Sequence, residues 1–505
     1  MQNDPSPERM YRRRVCWTNE MHVDVLFVGA GISGIGAACH LREQHPDRSF
    51  VIVDALDSFG GTWWTHRYPG VRSDSDLFTF GYKFKPWRKA PIASGEEILH
   101  YMGEVIEDYD LAPHIRYHHR VVAAQWSSDD RRWTVEINRT DTNETVRISA
   151  NFIFMGQGYY RHRSGYTPEW EGFDTYEGEV LHPQEWPEDV DLTGKRVVVI
   201  GSGATAATLI PNIAYDCAHV TMLQRSPTFF FVGANRNELA DELRAAGRPD
   251  EEIHELVRAQ IVEQHDMVAK ASFEYPDMVR QMLMQGVKDV LPEDFDVDKH
   301  FNPSYRPWQQ RIALVPDGDL FKAIKDGQAS VVTDKIVRFD KTGIELESGE
   351  RLDADVIITA TGFDLSVMGD VAFTVDDEPV DFAQTVTYRG IMFTGVPNLA
   401  YVFGYFRSSW TLRADLISNM FCRLLAYMDE HGASMVTPEL RPDEVGMELV
   451  PWVEPDNFNP GYLTRSLHLM PRQGLEDPWR LRHDYTSEKE ILPTADFEDG
   501  TLIFK

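Results

Sequence analysis

Two glycine-rich turns supply the first chemistry in this chain. The first, Gly29-Ala30-Gly31-Ile32-Ser33-Gly34, follows the apolar run Val23 to Val28; twenty residues past Gly34, the run Phe50 to Val53 ends at Asp54. The second, Gly201-Ser202-Gly203-Ala204-Thr205-Ala206, lies about 170 residues further on, directly after Val197 to Ile200. Nineteen residues past Ala206 stands Arg225, followed by Ser226, with no acid at that place. A strand, a glycine turn and a helix start in succession present backbone N–H groups and the positive end of a helix dipole to a pyrophosphate. A carboxylate beyond the next strand hydrogen-bonds a free ribose, whereas an arginine neutralises a 2′-phosphate. The two turns therefore predict two different dinucleotides in one chain, the second NADPH, and electron transfer between them.

The elements that position these turns follow from the apolar pattern. Strand, turn, helix and strand run from Val23 to Asp54 and again from Arg196 to Arg225. Between them, short apolar segments end at Phe152-Ile153-Phe154-Met155-Gly156. From about Asn235 to Val290 the composition shifts to Glu, Ala, Leu, Gln and Met, and Leu239, Leu243, Ile253, Val257, Ile261 and Val268 fall at helical spacing. That segment is expected to be a helical insertion. Strands are expected at Ser330 to Thr333, Gly343 to Leu346, Val356 to Thr361 and Asn398 to Gly404, then a helix from Trp410 to Met428 and a Pro-rich, loop-like tail. The class is α/β.

Composition narrows the function. The 505 residues allow two to four domains and a large core. A formal charge of −30 argues against nucleic acid as a partner. Cys16, Cys39, Cys217 and Cys422 are scattered without a C-x-x-C, which disfavours a zinc site, a disulfide scaffold and a dithiol reductase. His118-His119 has no third ligand nearby, so no metal is expected. Arg12 to Arg14 precede no signal-type apolar stretch, and no 18-residue apolar run occurs, so the expectation is a cytoplasmic protein without a membrane span.

Further motifs discriminate among flavoprotein classes. After Asp54 comes Gly60-Gly61-Thr62-Trp63-Trp64-Thr65-His66-Arg67-Tyr68-Pro69-Gly70-Val71-Arg72-Ser73-Asp74, and before the second turn comes Tyr176-Glu177-Gly178-Glu179-Val180-Leu181-His182-Pro183-Gln184-Glu185-Trp186-Pro187. These resemble the two fingerprints of type I Baeyer–Villiger monooxygenases, the second with Tyr176 in place of Phe. Trp186-Pro187 is the distinguishing end, since related flavin monooxygenases acting on amines and sulfides usually carry Tyr or Phe there without Pro. Gln224 to Thr228, Trp308-Gln309-Gln310-Arg311, Pro316 to Phe321 and Ala360-Thr361-Gly362 extend the resemblance over nearly all of Val23 to Tyr485.

The resemblance implies two Rossmann-like domains, for FAD and NADPH. On it, residues 1–21 are an N-terminal extension, 22–150 and 384–505 (with the tail) the FAD domain, 151–234 and 301–383 the NADPH domain, and 235–300 a helical insertion in the latter. It further implies that NADPH reduces FAD, that the reduced flavin captures O2 as a C4a-peroxide, and that one oxygen atom is inserted beside a ketone carbonyl, giving an ester or lactone. The alternative substrates are sulfides, thioamides or amines. Arg311 is implied as the catalytic arginine, charged in a desolvated pocket, with Asp74 as its partner. The competing roles are a surface arginine and a helix N-cap within Ser73-Asp74-Ser75-Asp76. FAD contacts are implied for Gly29, Gly31, Ser33, Gly34, Asp54, Thr62, Trp63, Trp64, Thr65, Asp74 and Val121. NADPH contacts are implied for Gly201, Ser202, Gly203, Ala204, Thr205, Ala206, Ala207, Thr208, Arg225 and Ser226, with Arg72 and Ser73 near the nicotinamide end. Gln310 stands where some members carry a lysine, which shifts phosphate discrimination onto Arg225. His182 is implied as a coupling residue between domains. The aromatic cluster Tyr401, Phe403, Tyr405, Phe406 and Trp410 is expected to be mainly core. A non-catalytic dinucleotide-binding regulator would require a lost arginine or a broken turn, and neither is present. Oligomeric state is open.

Overall fold

Strand β1 (Glu20–Val28) runs through the centre of the first unit, with Val25, Leu26 and Phe27 wholly buried. The computed structural model describes residues 20–505. Arg12 to Arg14, Cys16 and most of the expected extension lie outside the described residues. The extension ends earlier than residue 21, because the ladder of β1 already pairs Glu20 with Arg147. Helix α1 (Ile32–Gln44) buries almost its whole first three turns, from Ile32 to Leu41, and β2 (Phe50–Val53) returns parallel to β1. On the other side of β1 lies the parallel strand Thr145–Met155.

These belong to a nine-stranded mixed sheet. His119–Ser127, Arg132–Arg139 and Thr145–Met155 form an antiparallel meander. Trp126 faces Trp133 across it with ring centroids 5.5 Å apart. Beyond Ala150, where the meander pairing stops, Ile153 to Met155 pair instead with the parallel strand Leu399–Tyr401. The expected boundary at 150/151 is therefore corrected: the strand crosses it, because its pairing with β1 continues unbroken to Met155. The boundary at 383/384 also moves, since Ala372–Val375 pairs with His119–Ser127 in this first sheet.

The second unit is a five-stranded parallel sheet in the order Ala329–Thr333, β4 (His219–Gln224), β3 (Arg196–Ile200), Val356–Thr359 and Glu179–Leu181. Helix α2 (Ala204–Ile213) connects β3 to β4. Both units are thus open α/β sheets of the doubly wound kind, which bind ligands outside the carboxyl ends of their strands.

The expected insertion is helical: Glu238–Ala245, α3 (Asp250–Glu274), α4 (Pro276–Lys288) and Val297–Phe301. It does not serve the second unit alone. Ile253, Val257 and Ile261 of α3 pack into the core of the first unit, while Met284 and Val287 of α4 pack into the second. The buried Arg258 fixes α3 by donating to the carbonyls of Phe78, Thr79 and Gly81. The insertion is consequently a brace between the sheets.

Helix α5 (Trp410–Glu430) packs against α1, and the tail is anchored rather than free. Arg413 donates to Glu488 at 2.8 Å, with side-chain exposures of 0% and 3%, and Leu502–Phe504 pairs with Val436–Pro438. Tyr401, Phe403, Tyr405 and Phe406 are buried core residues, as expected. Among the described residues no helix is long and apolar enough to cross a membrane.

Candidate active site

A cavity of about 690 Å³ opens between the two sheets, at the carboxyl ends of β1, β2 and Thr145–Met155. Gly29, Gly31 and Ser33 of the first turn line it, as do Gly203, Ala204 and Thr205 of the second. Neither α1 nor α2 has a side-chain cap at its N-terminus, so the first-turn N–H groups are left for a ligand. Gly34 does not line the cavity; a Cβ there would stand 1.9 Å from the Gly29 carbonyl oxygen, so its part is the close approach of helix to strand.

Asp54 lies at the end of β2 and accepts two backbone hydrogen bonds, from Ala30 at 2.6 Å and Leu56 at 2.9 Å. Burial raises its pKa, and those backbone donors act against the rise. The carboxylate braces the first turn and still lines the cavity, with acceptor capacity to spare. Thr62 and Trp63 line the same space, as does Val121. Trp64 and Thr65 turn elsewhere: the Trp64 indole donates to Asp57 at 2.6 Å, and Thr65 Oγ1 meets His162 Nδ1 at 3.1 Å.

Arg311 and Asp74 meet across 237 residues of sequence. Arg311 Nε donates to Asp74 Oδ2 at 2.5 Å and Nη2 to Oδ1 at 2.7 Å, a bidentate pair on the cavity wall. The N-cap role goes to Asp76, which accepts from Thr79 N–H, leaving Asp74 to the arginine. Burial works to lower the arginine's pKa, but the charge and hydrogen bonds of Asp74, helped by Tyr159 and Tyr462, raise it on balance. The guanidinium stays charged.

Other expected residues are not brought to this cavity wall. Arg72 forms a bidentate pair with Asp319, at 2.5 and 3.2 Å, tying the fingerprint loop to the second unit. Ser73 is buried and bonds to Ser75. Gly201 packs under Ala360, Ser202 Oγ meets Thr228 Oγ1 at 2.8 Å, and Ala206, Ala207 and Thr208 are buried within α2. Arg225 and Ser226 sit exposed just past β4; among the described residues Arg225 forms no ion pair. Gln310 lines the cavity beside Arg311. His182 accepts from Gln184 N–H, and burial lowers its pKa. His118 and His119 are taken up in local hydrogen bonds to Thr140 and Tyr117.

The sequence reading missed the segment Gly156 to Arg163, which lines the cavity continuously. Its signal was present: Thr145–Met155 is a third strand ending in glycines, parallel to β1, and so delivers its next residues to the same cleft. Both amide atoms of Gln157 are buried without a partner among the described residues. Tyr159 stacks on Trp410, with centroids 5.0 Å apart and 13° between planes, and Trp410 Nε1 donates to Ser33 Oγ at 2.8 Å. The uncapped helix ends, the unpartnered amide and the aromatic wall fit a flavin dinucleotide in the first turn.

Comparison with known proteins agrees. Residues 28–87 match the NAD(P)-binding Rossmann-like domain family, and residues 91–244 the flavin-binding monooxygenase-like family. The chain is 44% identical over 485 residues to the FAD-containing monooxygenase EthA of Mycobacterium tuberculosis, covering 96% of this chain and 98% of that one. It is 42% identical to the probable FAD-binding monooxygenase AlmA of Acinetobacter baylyi, covering 96% of each. A solved structure of oxidized steroid monooxygenase bound to NADP shares the fold, with a TM-score of 0.74 at 23% identity over 96% of this chain and 99% of that one. Open cyclohexanone monooxygenase does so at 0.69 and 21% identity, over 84% and 90%. Taken with the two glycine turns and the arginine between them, these relationships show that the chain belongs to the FAD-containing flavin monooxygenases and shares the fold of the steroid and cyclohexanone monooxygenases.

Proposed function

We propose that this protein consumes NADPH and O2 to insert one oxygen atom beside a ketone carbonyl, giving an ester or lactone. The observation that carries this is Arg311, held in bidentate geometry by Asp74 on the cavity wall that also contains both glycine turns. The bound cofactors supply the reduction and activation of dioxygen; the chain supplies position and charge.

In this proposal Gly29, Gly31, Ser33, Asp54, Thr62, Trp63 and Val121 hold FAD, with Gly34 keeping the helix close to the strand, and Gln157 offers its unpartnered amide to the cofactor. Gly203, Ala204 and Thr205 meet the NADPH pyrophosphate, with Gly201, Ser202 and Ala206 to Thr208 shaping the turn behind them and Arg225 and Ser226 at the 2′-phosphate. Arg72 and Ser73 act through the loop that carries Asp74 rather than by direct contact. Arg311 stabilises negative charge that builds on oxygen during transfer, because a fixed guanidinium needs no reorganisation when that charge appears. Asp74 spends two arginine donors on orientation; Nη1 makes no hydrogen bond among the described residues and is left for reacting atoms. A second reading is oxygenation of a sulfide, thioamide or amine. It is supported by the aromatic wall of Trp63, Phe80, Tyr159 and Trp410, against which sulfur packs well.

The test is NADPH consumption and mass-spectrometric product identification over linear, cyclic and aryl ketones and thioethers. Ester or lactone is expected with wild type and absent with Arg311→Ala, which should keep its flavin. Ester formation by Arg311→Ala, or oxygen transfer to thioethers alone by wild type, overturns the ketone assignment.

A further inference from the structure

Next to Arg311, three tyrosines from two distant parts of the chain converge on the cavity. Tyr159 and Tyr160 follow Gly156 and Gly158 at the end of Thr145–Met155, whereas Tyr462 comes from the tail, at the start of the short helix Gly461–Ser466. The Tyr159 and Tyr160 hydroxyls are 2.7 Å apart. The Tyr462 ring meets the Tyr160 ring edge to face at 5.5 Å and the Tyr159 ring at 6.2 Å. Trp410 stacks on Tyr159 and bonds to Ser33, so the cluster is tied rigidly to the first dinucleotide turn.

Polar groups on an otherwise aromatic wall fix a ligand's orientation. Arg311 has its Nη1 donors left after pairing with Asp74; beside them the phenols share their hydroxyl protons with one another, and an incoming oxygen acceptor would take over one of these bonds. We infer that Tyr159, Tyr160 and Tyr462 form a recognition site for a hydrogen-bond-accepting oxygen of the substrate, with the tail residue Tyr462 setting the preference for carbonyl compounds over thioethers. Burial pushes all three phenols above their ordinary pKa, so they remain proton donors throughout the physiological range. A thioether sulfur is a weak acceptor and gains little from such donors.

This inference rests on the proposed oxygenation, and the experiment separates the two. Tyr462→Phe, with Tyr160→Phe as a second variant, removes a hydroxyl and keeps the ring. The ratio of kcat/KM for a cyclic ketone to that for the matched cyclic thioether should fall about 3- to 10-fold, the range for one neutral hydrogen bond, mainly through KM. Binding of an unreactive cyclic lactam, followed by perturbation of the flavin spectrum, should weaken by the same factor. Equal loss on both substrates, or unchanged lactam affinity in both variants with flavin content intact, overturns the inference. If wild type turns over neither substrate, the oxygenation proposal fails, while the lactam titration still decides the tyrosine site.

Discussion

Replacing Asp74 by Asn tests the orienting role proposed for its carboxylate. The pair contains two charge-assisted hydrogen bonds, at 2.5 and 2.7 Å, of a kind that contributes roughly 1.5–3 kcal/mol each when well shielded. The side chains are 38% and 25% exposed, toward a cavity rather than sealed in the core, so solvent screening removes about half of that sum. Asn keeps one acceptor oxygen. The remaining loss of anchoring is about 2 kcal/mol, equivalent to roughly 30-fold in kcat/KM for oxygen transfer. Arg311 keeps its charge in this variant; what it loses is a fixed position. Stopped-flow reduction of the flavin by NADPH should therefore change far less than product formation in the steady state. A product rate within threefold of wild type would refute the orienting role. So would equal losses in flavin reduction and oxygen transfer, which would indicate a general collapse of the site.

Two further perturbations test the frame around the pair. Gly201 has φ +129°, and a Cβ there would lie 2.2 Å from the Ala360 carbonyl oxygen, whereas a Cβ on Gly203 meets nothing within 4 Å. Gly201→Ala should destabilise the fold by about 3 kcal/mol, seen as a lower melting temperature, while Gly203→Ala should melt like wild type and bind NADP+ more weakly. His254 is 3% exposed, accepts the Trp87 N–H, and is pushed down to about 4 chiefly by burial, with Arg258 adding to it. Between its ordinary value of 6.5 and about 4 the unfolded chain binds the extra proton and the folded one does not, so stability must fall as pH drops through that window. Urea midpoints at pH 7 and pH 5 should show the decline, and His254→Gln should flatten it; identical slopes would exclude His254 as the cause.

Much of this protein was legible before folding was considered. The glycine turns, the strands before them and the helices after them are local features, set by backbone geometry and apolar period within about 35 residues, and they appear where the sequence places them. Asp54 and Arg225 could be located by counting from those turns. The helical composition of 235–300 was equally readable, but its role as a brace was not, because Arg258 and Ile253 find their partners in the first unit only after the sheets are assembled. The strand Thr145–Met155 crosses the boundary expected at 150 because its ladder with β1 continues to Met155, and which distant strand a segment pairs with is not written in the local pattern. The arginine pair was suggested by motif, yet its geometry is tertiary: Asp74 and Arg311 are 237 residues apart, and the competing N-cap role fell to Asp76 two residues on. Tyr159 and Tyr160 follow a strand end that the sequence marks, but their meeting with Tyr462 was not legible in it. A side chain's pattern along the chain records which face is buried; what meets it there is decided by packing between distant segments, which is how a tail residue, Tyr462, comes to stand beside Arg311.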